Sequence, residues 1–158
     1  MRVFVDEDTG SGLARALSAV GIETEYPTSK KSSPIKLGDG DDKWLPFAGR
    51  QGRLVLSRNT NILQVEAERE LLLTHLIGVV FLPQHLDKLE LLRLVMKRWD
   101  WLLEVDATVP RPFAYYLGAT GRAVRLPVSP AAVKVLRRIQ RRQSRSRLSS
   151  LSPVTSSL

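Results

Sequence analysis

Seven positions of the 158-residue chain carry side chains suited to a cation or a phosphate, and they fall in three short clusters. Asp6, Glu7 and Asp8 directly follow the apolar run Val3-Phe4-Val5. Asp41 and Asp42 open a short helical pattern, and Asn59 and Asn61 follow the apolar run Leu54-Val55-Leu56-Ser57. Oxygen ligands converging from separate loops are what Mg²⁺ or Mn²⁺ requires. Such an ion orients a water and stabilises charge on a phosphodiester. Crowded carboxylates repel one another unless a cation, a basic group or a proton relieves them. The competing reading is helix capping, for which Asp8, Thr9 and at least one of Asp41 and Asp42 are suited. For Asp6 and Asp8 together, a metal or phosphate site stands level with that reading.

The elements that must position these side chains follow from periodicity. Val3 to Val5 reads as a buried strand; Leu13, Ala14, Ala16, Leu17 and Val20 have helical spacing, stopped by Gly21. Residues 22–26 alternate as a second strand, and 27–40 form a Ser/Lys/Gly/Pro-rich loop. A helix over 42–50, a strand over 53–57, a helix over 62–76, a strand over 78–82 and a helix over 85–98 follow. This alternation predicts a mainly parallel sheet of about 4–5 strands, covered by helices on both faces. Ligands of such sheets bind beyond the carboxyl ends of the strands, where Asp6 and Asn59 fall. From Trp99 the pattern changes. Trp99 to Leu103 is expected to pack onto the sheet, residues 110–116 are stiff and aromatic, and 122–126 pair back as a hairpin. Pro130 starts a last helix, and the Ser-rich end reads as disordered.

Charge is unevenly placed. Residues 1–121 hold 15 Lys and Arg against all 16 acids, whereas 122–158 hold nine Lys and Arg and no acid. Electrostatic attraction for a polyanion therefore belongs to the C-terminal end. The chain has no cysteine, which excludes disulfides, a thiol nucleophile and a thiolate metal site and fits a cytoplasmic location. The opening is a strand followed by acids, unlike a secretory leader, and the apolar run at 76–82 is too short to span a bilayer. A phosphorelay receiver would need an acceptor Asp after the third strand, where the chain reads Ser57-Arg58-Asn59. Gly10-Ser11-Gly12 lacks the third glycine of a dinucleotide loop and sits among acids. His75 and His85 have no ligand partner at useful spacing.

Taken in order, these segments resemble a PIN-like domain over roughly residues 1–126. The likeness lies in Arg2 to Asp8 with Leu13 to Leu17, and in Asp41 to Ala48 before Gly52 to Asn59. Gly78 to Leu82 and Arg111-Pro112-Phe113-Ala114-Tyr115 resemble the VapC-type branch. The resemblance implies a three-layer α/β/α fold and an Mg²⁺- or Mn²⁺-dependent endoribonuclease, the toxin of a type II toxin–antitoxin pair with a cognate antitoxin protein. A homodimer is a further implication. By position, Asp6 matches the first catalytic acid, Asp8 sits where relatives often have Asn, and Asp41 best matches the acid opening the helix before the third strand, with Asp42 as the other candidate. Relatives carry aspartates where this chain has Asn59 and Asn61, so either Glu66 or Glu68 supplies a missing charge or activity is reduced. RNA phosphates would fall to Arg58 and to Arg137, Arg138, Arg141 and Arg142 of a basic helix over 127–147, with 148–158 as tail. The alternative is a weakened PIN-like module binding RNA or protein through that basic end. On that alternative, deletion of 131–158 would leave folding intact.

Overall fold

The computed structural model describes residues 1–150; residues 151–158, and with them most of the segment read as a disordered tail, lie outside the described residues. The chain runs β1 (Val3–Val5), α1 (Ser11–Ala19), β2 (Thr24–Glu25), α2 (Asp41–Arg50) and β3 (Leu54–Ser57). A 3-10 turn (Thr60–Leu63), α3 (Glu66–Thr74), β4 (Gly78–Phe81), α4 (Lys88–Lys97) and α5 (Trp99–Thr108) follow. The hairpin β5 (Phe113–Leu117) and β6 (Ala123–Leu126) and the helix α6 (Ala132–Ser150) complete it.

All strands join one sheet in the order β2-β1-β3-β4-β5-β6. Every neighbouring pair is parallel except β5 and β6. The sheet has six strands rather than four or five, because the hairpin is not an appendage. Its first strand pairs with β4, with Phe113 opposite Gly78. A Cβ at Gly78 would lie 2.5 Å from the Phe113 ring, so this register requires glycine there.

Alternation along the strands divides the core in two. Phe4, Val55, Val79 and Phe81 face α2, α3 and α6, together with Trp44, Leu72 and Leu136. Val3, Val5, Leu54, Leu56 and Val80 face the other way, onto Leu13 and Leu17 of α1, Leu91 and Val95 of α4 and Leu102 of α5. The result is a three-layer α/β/α fold.

Several element boundaries differ from expectation. The helix expected over 62–76 is split, because the Asn59 side chain accepts the Asn61 N–H and nucleates the 3-10 turn, and Val65 is extended before α3. The helix expected from 85 begins at Lys88, where Asp87 and Glu90 form a reciprocal capping box. Trp99 to Thr108 is itself a helix, and α6 continues to Ser150. Ala132 and Leu136 of α6 are buried in the core, so a deletion beginning at residue 131 would uncover it; the basic helix is not a detachable tail. Among the described residues no helix is long and apolar enough to cross a membrane.

Candidate functional site

The strand order reverses at β1: β2 lies on one side of it, β3 and the remaining strands on the other. A crevice opens beyond the carboxyl ends of the strands at such a point. Asp6 is the first residue past β1 and Ser57 the last of β3, so both stand at that edge of the sheet. Asp6 continues the side of β1 that carries Phe4, and Ser57 the side of β3 that carries Val55, which is the layer of α2 and α3.

Asp6 is 3% exposed. The Ser57 hydroxyl donates to its Oδ2 at 2.5 Å, and the Thr9 N–H donates to its Oδ1 at 3.0 Å. Ser57 Oγ in turn accepts the Asn59 N–H at 2.9 Å, and Thr9 Oγ1 accepts the Arg58 N–H at 2.9 Å. The two strand ends are thus laced together through one carboxylate. Burial pushes the Asp6 carboxyl above its ordinary range, against the lowering effect of the Ser57 and Thr9 hydrogen bonds, and the Asp8 charge adds to the rise.

A second acidic pair forms where α2 and α3 begin. Asp41 is the first residue of α2, and its Oδ1 accepts the indole N–H of Trp44 at 2.7 Å. Trp44 stacks on Phe4 with centroids 5.1 Å apart, which ties the start of α2 to β1. Glu68 lies in the first turn of α3 beside Asp41. Burial first, and then the Asp41 carboxylate, push Glu68 up to about 7. Its Oε2 is buried with no hydrogen-bond partner. Two carboxylates facing each other without a counter-charge are relieved by a proton or a cation, and the raised Glu68 registers that imbalance.

The remaining expected residues are placed as follows. Glu7 turns to the 27–40 loop, where its Oε2 accepts the Gly38 N–H at 2.8 Å. Asp8, Asp42 and Glu66 are exposed. Asn59 Oδ1 accepts the Asn61 N–H at 3.1 Å, and Asn61 Oδ1 accepts from Gln64 Nε2 at 3.3 Å, so both asparagines act in local capping. Arg58 clamps the β4–α4 loop, its Nη1 donating to Gln84 O at 2.9 Å and Leu86 O at 3.0 Å. Arg137, Arg138, Arg141 and Arg142 are exposed on α6. Among the described residues no three His, Cys, Asp or Glu side chains converge as a metal-binding group. Asp6, Asp8, Asp41 and Asp42 therefore do not form one cluster.

Two members were not anticipated. Ser57 and Thr9 orient Asp6, and the only sequence signal was their place beside the strand ends. Glu68 was one of two alternatives until the α2–α3 packing brought it, and not Glu66, against Asp41.

The donor set fits a hard divalent cation: Asp41 and Glu68 are oxygen ligands, and the buried Glu68 Oε2 is satisfied only by a proton shared with Asp41 or by a cation. Mg²⁺ keeps several waters and is commonly held by one or two carboxylates with substrate phosphate.

Neither the functionally curated proteins nor the solved structures contain a significant match to the chain. The family described as a PIN like domain matches residues 1–84, which hold Asp6, Asp41, Ser57, Asn59 and Glu68. With more than half of its length matched, the chain belongs to the PIN-like domain family, whose members are generally nucleases.

Proposed function

We propose that the protein is a metal-dependent endoribonuclease that hydrolyses RNA phosphodiesters at the β1–β3 crevice. The observation that carries this reading is the uncompensated Asp41–Glu68 pair at the helix N-termini, on the same side of the sheet as the buried carboxylate of Asp6. Asp41 and Glu68 would hold Mg²⁺ or Mn²⁺, with Asp6 on the same side of the sheet. Bound there, the ion would supply Lewis acidity, lowering the pKa of water and offsetting charge on the phosphodiester. The chain's own part is preorganisation. Ser57 and Thr9 fix the Asp6 carboxylate in one orientation, so no reorganisation is needed on substrate entry. Asn59 brings no charge, which leaves Glu68 as the acid that replaces it from α3. The exposed arginines of α6 would hold RNA phosphates through salt-sensitive contacts.

The finer assignment, toxin of a type II pair neutralised by an antitoxin protein, rests on the likeness of the downstream motif at Arg111 to Tyr115. Arg111 has a structural task as well: it binds Asp106 and donates to Arg53 O at 3.0 Å. Coexpression with a small protein from the adjacent reading frame tests this assignment, since a cognate antitoxin would copurify with the chain and suppress its cleavage.

The nuclease reading is tested by incubating a mixed RNA pool with wild type and Asp6→Asn in Mg²⁺ or Mn²⁺. Cleavage by wild type and its loss in the variant are expected; equal cleavage by both would refute the site. A second reading, a binding module with weakened chemistry, is favoured by one observation: Asn59 and Asn61 are engaged in capping where relatives have acids. It predicts RNA retention without cleavage, abolished when Arg137, Arg138, Arg141 and Arg142 are changed to Ala.

A further inference from the structure

A cleft of about 490 Å³ lies between the β5–β6 hairpin and α6, outside the region the PIN-like family covers. Its floor is apolar, formed by Tyr116, Val124, Val135 and Ile139, and Arg138 and Arg142 stand at its rim. Such a volume suits one nucleotide-sized ligand, since small-molecule pockets span about 300–1,000 Å³. Beside it runs a narrower pocket of about 170 Å³ that reaches Thr60 and Leu82 and shares His85, Tyr116, Ile139 and Gln143 with the cleft. The two therefore adjoin, and the narrower one ends at Thr60, the residue after Asn59.

The chemistry of this cleft is that of single-stranded nucleic acid. Unpaired bases are bound by apolar and stacking surfaces, and their phosphates by cations alongside. The helix α6 carries six arginines, one lysine and no acid over Ala132–Ser150. Arginine both stacks on bases and binds phosphate in a bidentate way, which lysine does not. No ion pair within the described residues involves Arg138 or Arg142. An acidic peptide would satisfy the arginines but would leave the flat apolar floor without a matching group.

We propose that the cleft between the β5–β6 hairpin and α6 is a nucleotide subsite. It seats one unpaired base of the RNA flanking the cleaved bond, with Arg138 and Arg142 on the adjoining phosphates. The proposal deepens the ribonuclease reading by locating where RNA beside the cleaved bond is seated, and it rests on RNA being the ligand, though not on cleavage.

The test is fluorescence anisotropy of a labelled mixed-sequence 12-nucleotide RNA in EDTA, which reads binding without turnover. Four proteins are compared: wild type, Arg138→Ala with Arg142→Ala, and Val124→Trp and Ala119→Trp to fill the cleft. Ala119→Trp is a second filler at an exposed turn position, so a misfolded Val124→Trp would not decide the matter. The double arginine variant is expected to bind about tenfold or more weakly and to lower the salt slope by about 1.4, at about 0.7 per phosphate contact on single strands. The fillers should weaken binding about tenfold with no change in that slope. Fillers that bind RNA normally would overturn the subsite while leaving cleavage untouched. A cleft that prefers polyglutamate to RNA, or double-stranded to single-stranded RNA, would overturn it too. Filler-sensitive binding in a protein that cleaves nothing would sustain the subsite and sink the nuclease reading.

Discussion

The two edges of the sheet treat charge in opposite ways. At the amino edge, Arg53 enters β3 almost fully buried, with Glu23 at 2.9 Å and Glu25 at 4.0 Å. Its Nη1 donates to Val3 O, and Arg111 joins by binding Asp106 and Arg53 O. Arg53 and Arg111 each have a carboxylate opposite. At the carboxyl edge, Asp6 is buried without a cation, and Asp41 and Glu68 face each other. The amino edge holds strands together, whereas the carboxyl edge keeps negative charge unbalanced at a cost to stability. Perturbed acids in a crevice mark a site with a task beyond folding.

Substitutions should separate the edges. The largest effect is expected from Asp6→Asn, which should lower RNA cleavage by about 10²-fold or more while its melting temperature at pH 8 holds or rises, because a buried charge is removed. Activity assays beside thermal melts check both halves. A variant that is active but unstable would assign Asp6 to the scaffold.

Arg111→Met should do the reverse. It removes two charge-assisted hydrogen bonds that tie α5 to the start of β3, and a cost of about 2–3 kcal/mol in urea unfolding is expected with cleavage per folded molecule unchanged. Asn59→Asp sharpens the comparison from the other side. Asp also caps, so the 3-10 turn persists, while the added charge should tighten Mn²⁺ binding by about tenfold or more. Calorimetry reads the change; no gain would mean that Asn59 is remote from the ion.

The smallest effect is on pH dependence. Glu68 titrates near 7 in the folded chain against an ordinary 4.5, so between those values the native state binds more protons than the unfolded one. Stability in EDTA should therefore fall as pH rises from about 4.5 to about 7 and then level off. The raised Asp6 acts with the same sign, so Glu68→Gln should flatten this slope without abolishing it. Melts across that window check it. An unchanged slope would place the pH dependence elsewhere.

Much of this was legible in the chain. The order β1-α1-β2-α2-β3-α3-β4-α4 follows from apolar period and turn residues, and Asp6 marks its own edge because it ends a run of buried residues. What was hidden depends on contacts distant in sequence. The choice of Glu68 over Glu66 is made by how α3 packs on α2, where a Cβ at Gly49 would lie 2.6 Å from His75 O. The entry of the hairpin into the sheet depended on Phe113 meeting Gly78, a pairing that no local period announces. The attachment of α6 escaped notice because its apolar positions Ala132, Val135, Leu136 and Ile139 are overshadowed by arginines in the sequence.

The most direct measurement is the heat of Mn²⁺ binding to wild type and to Glu68→Gln, with cleavage of a mixed RNA pool followed in the same samples. If Asp41 and Glu68 hold the ion, wild type binds it and cleaves, and Glu68→Gln loses both while remaining folded. Full cleavage in EDTA, or metal binding indifferent to Glu68, would contradict that assignment.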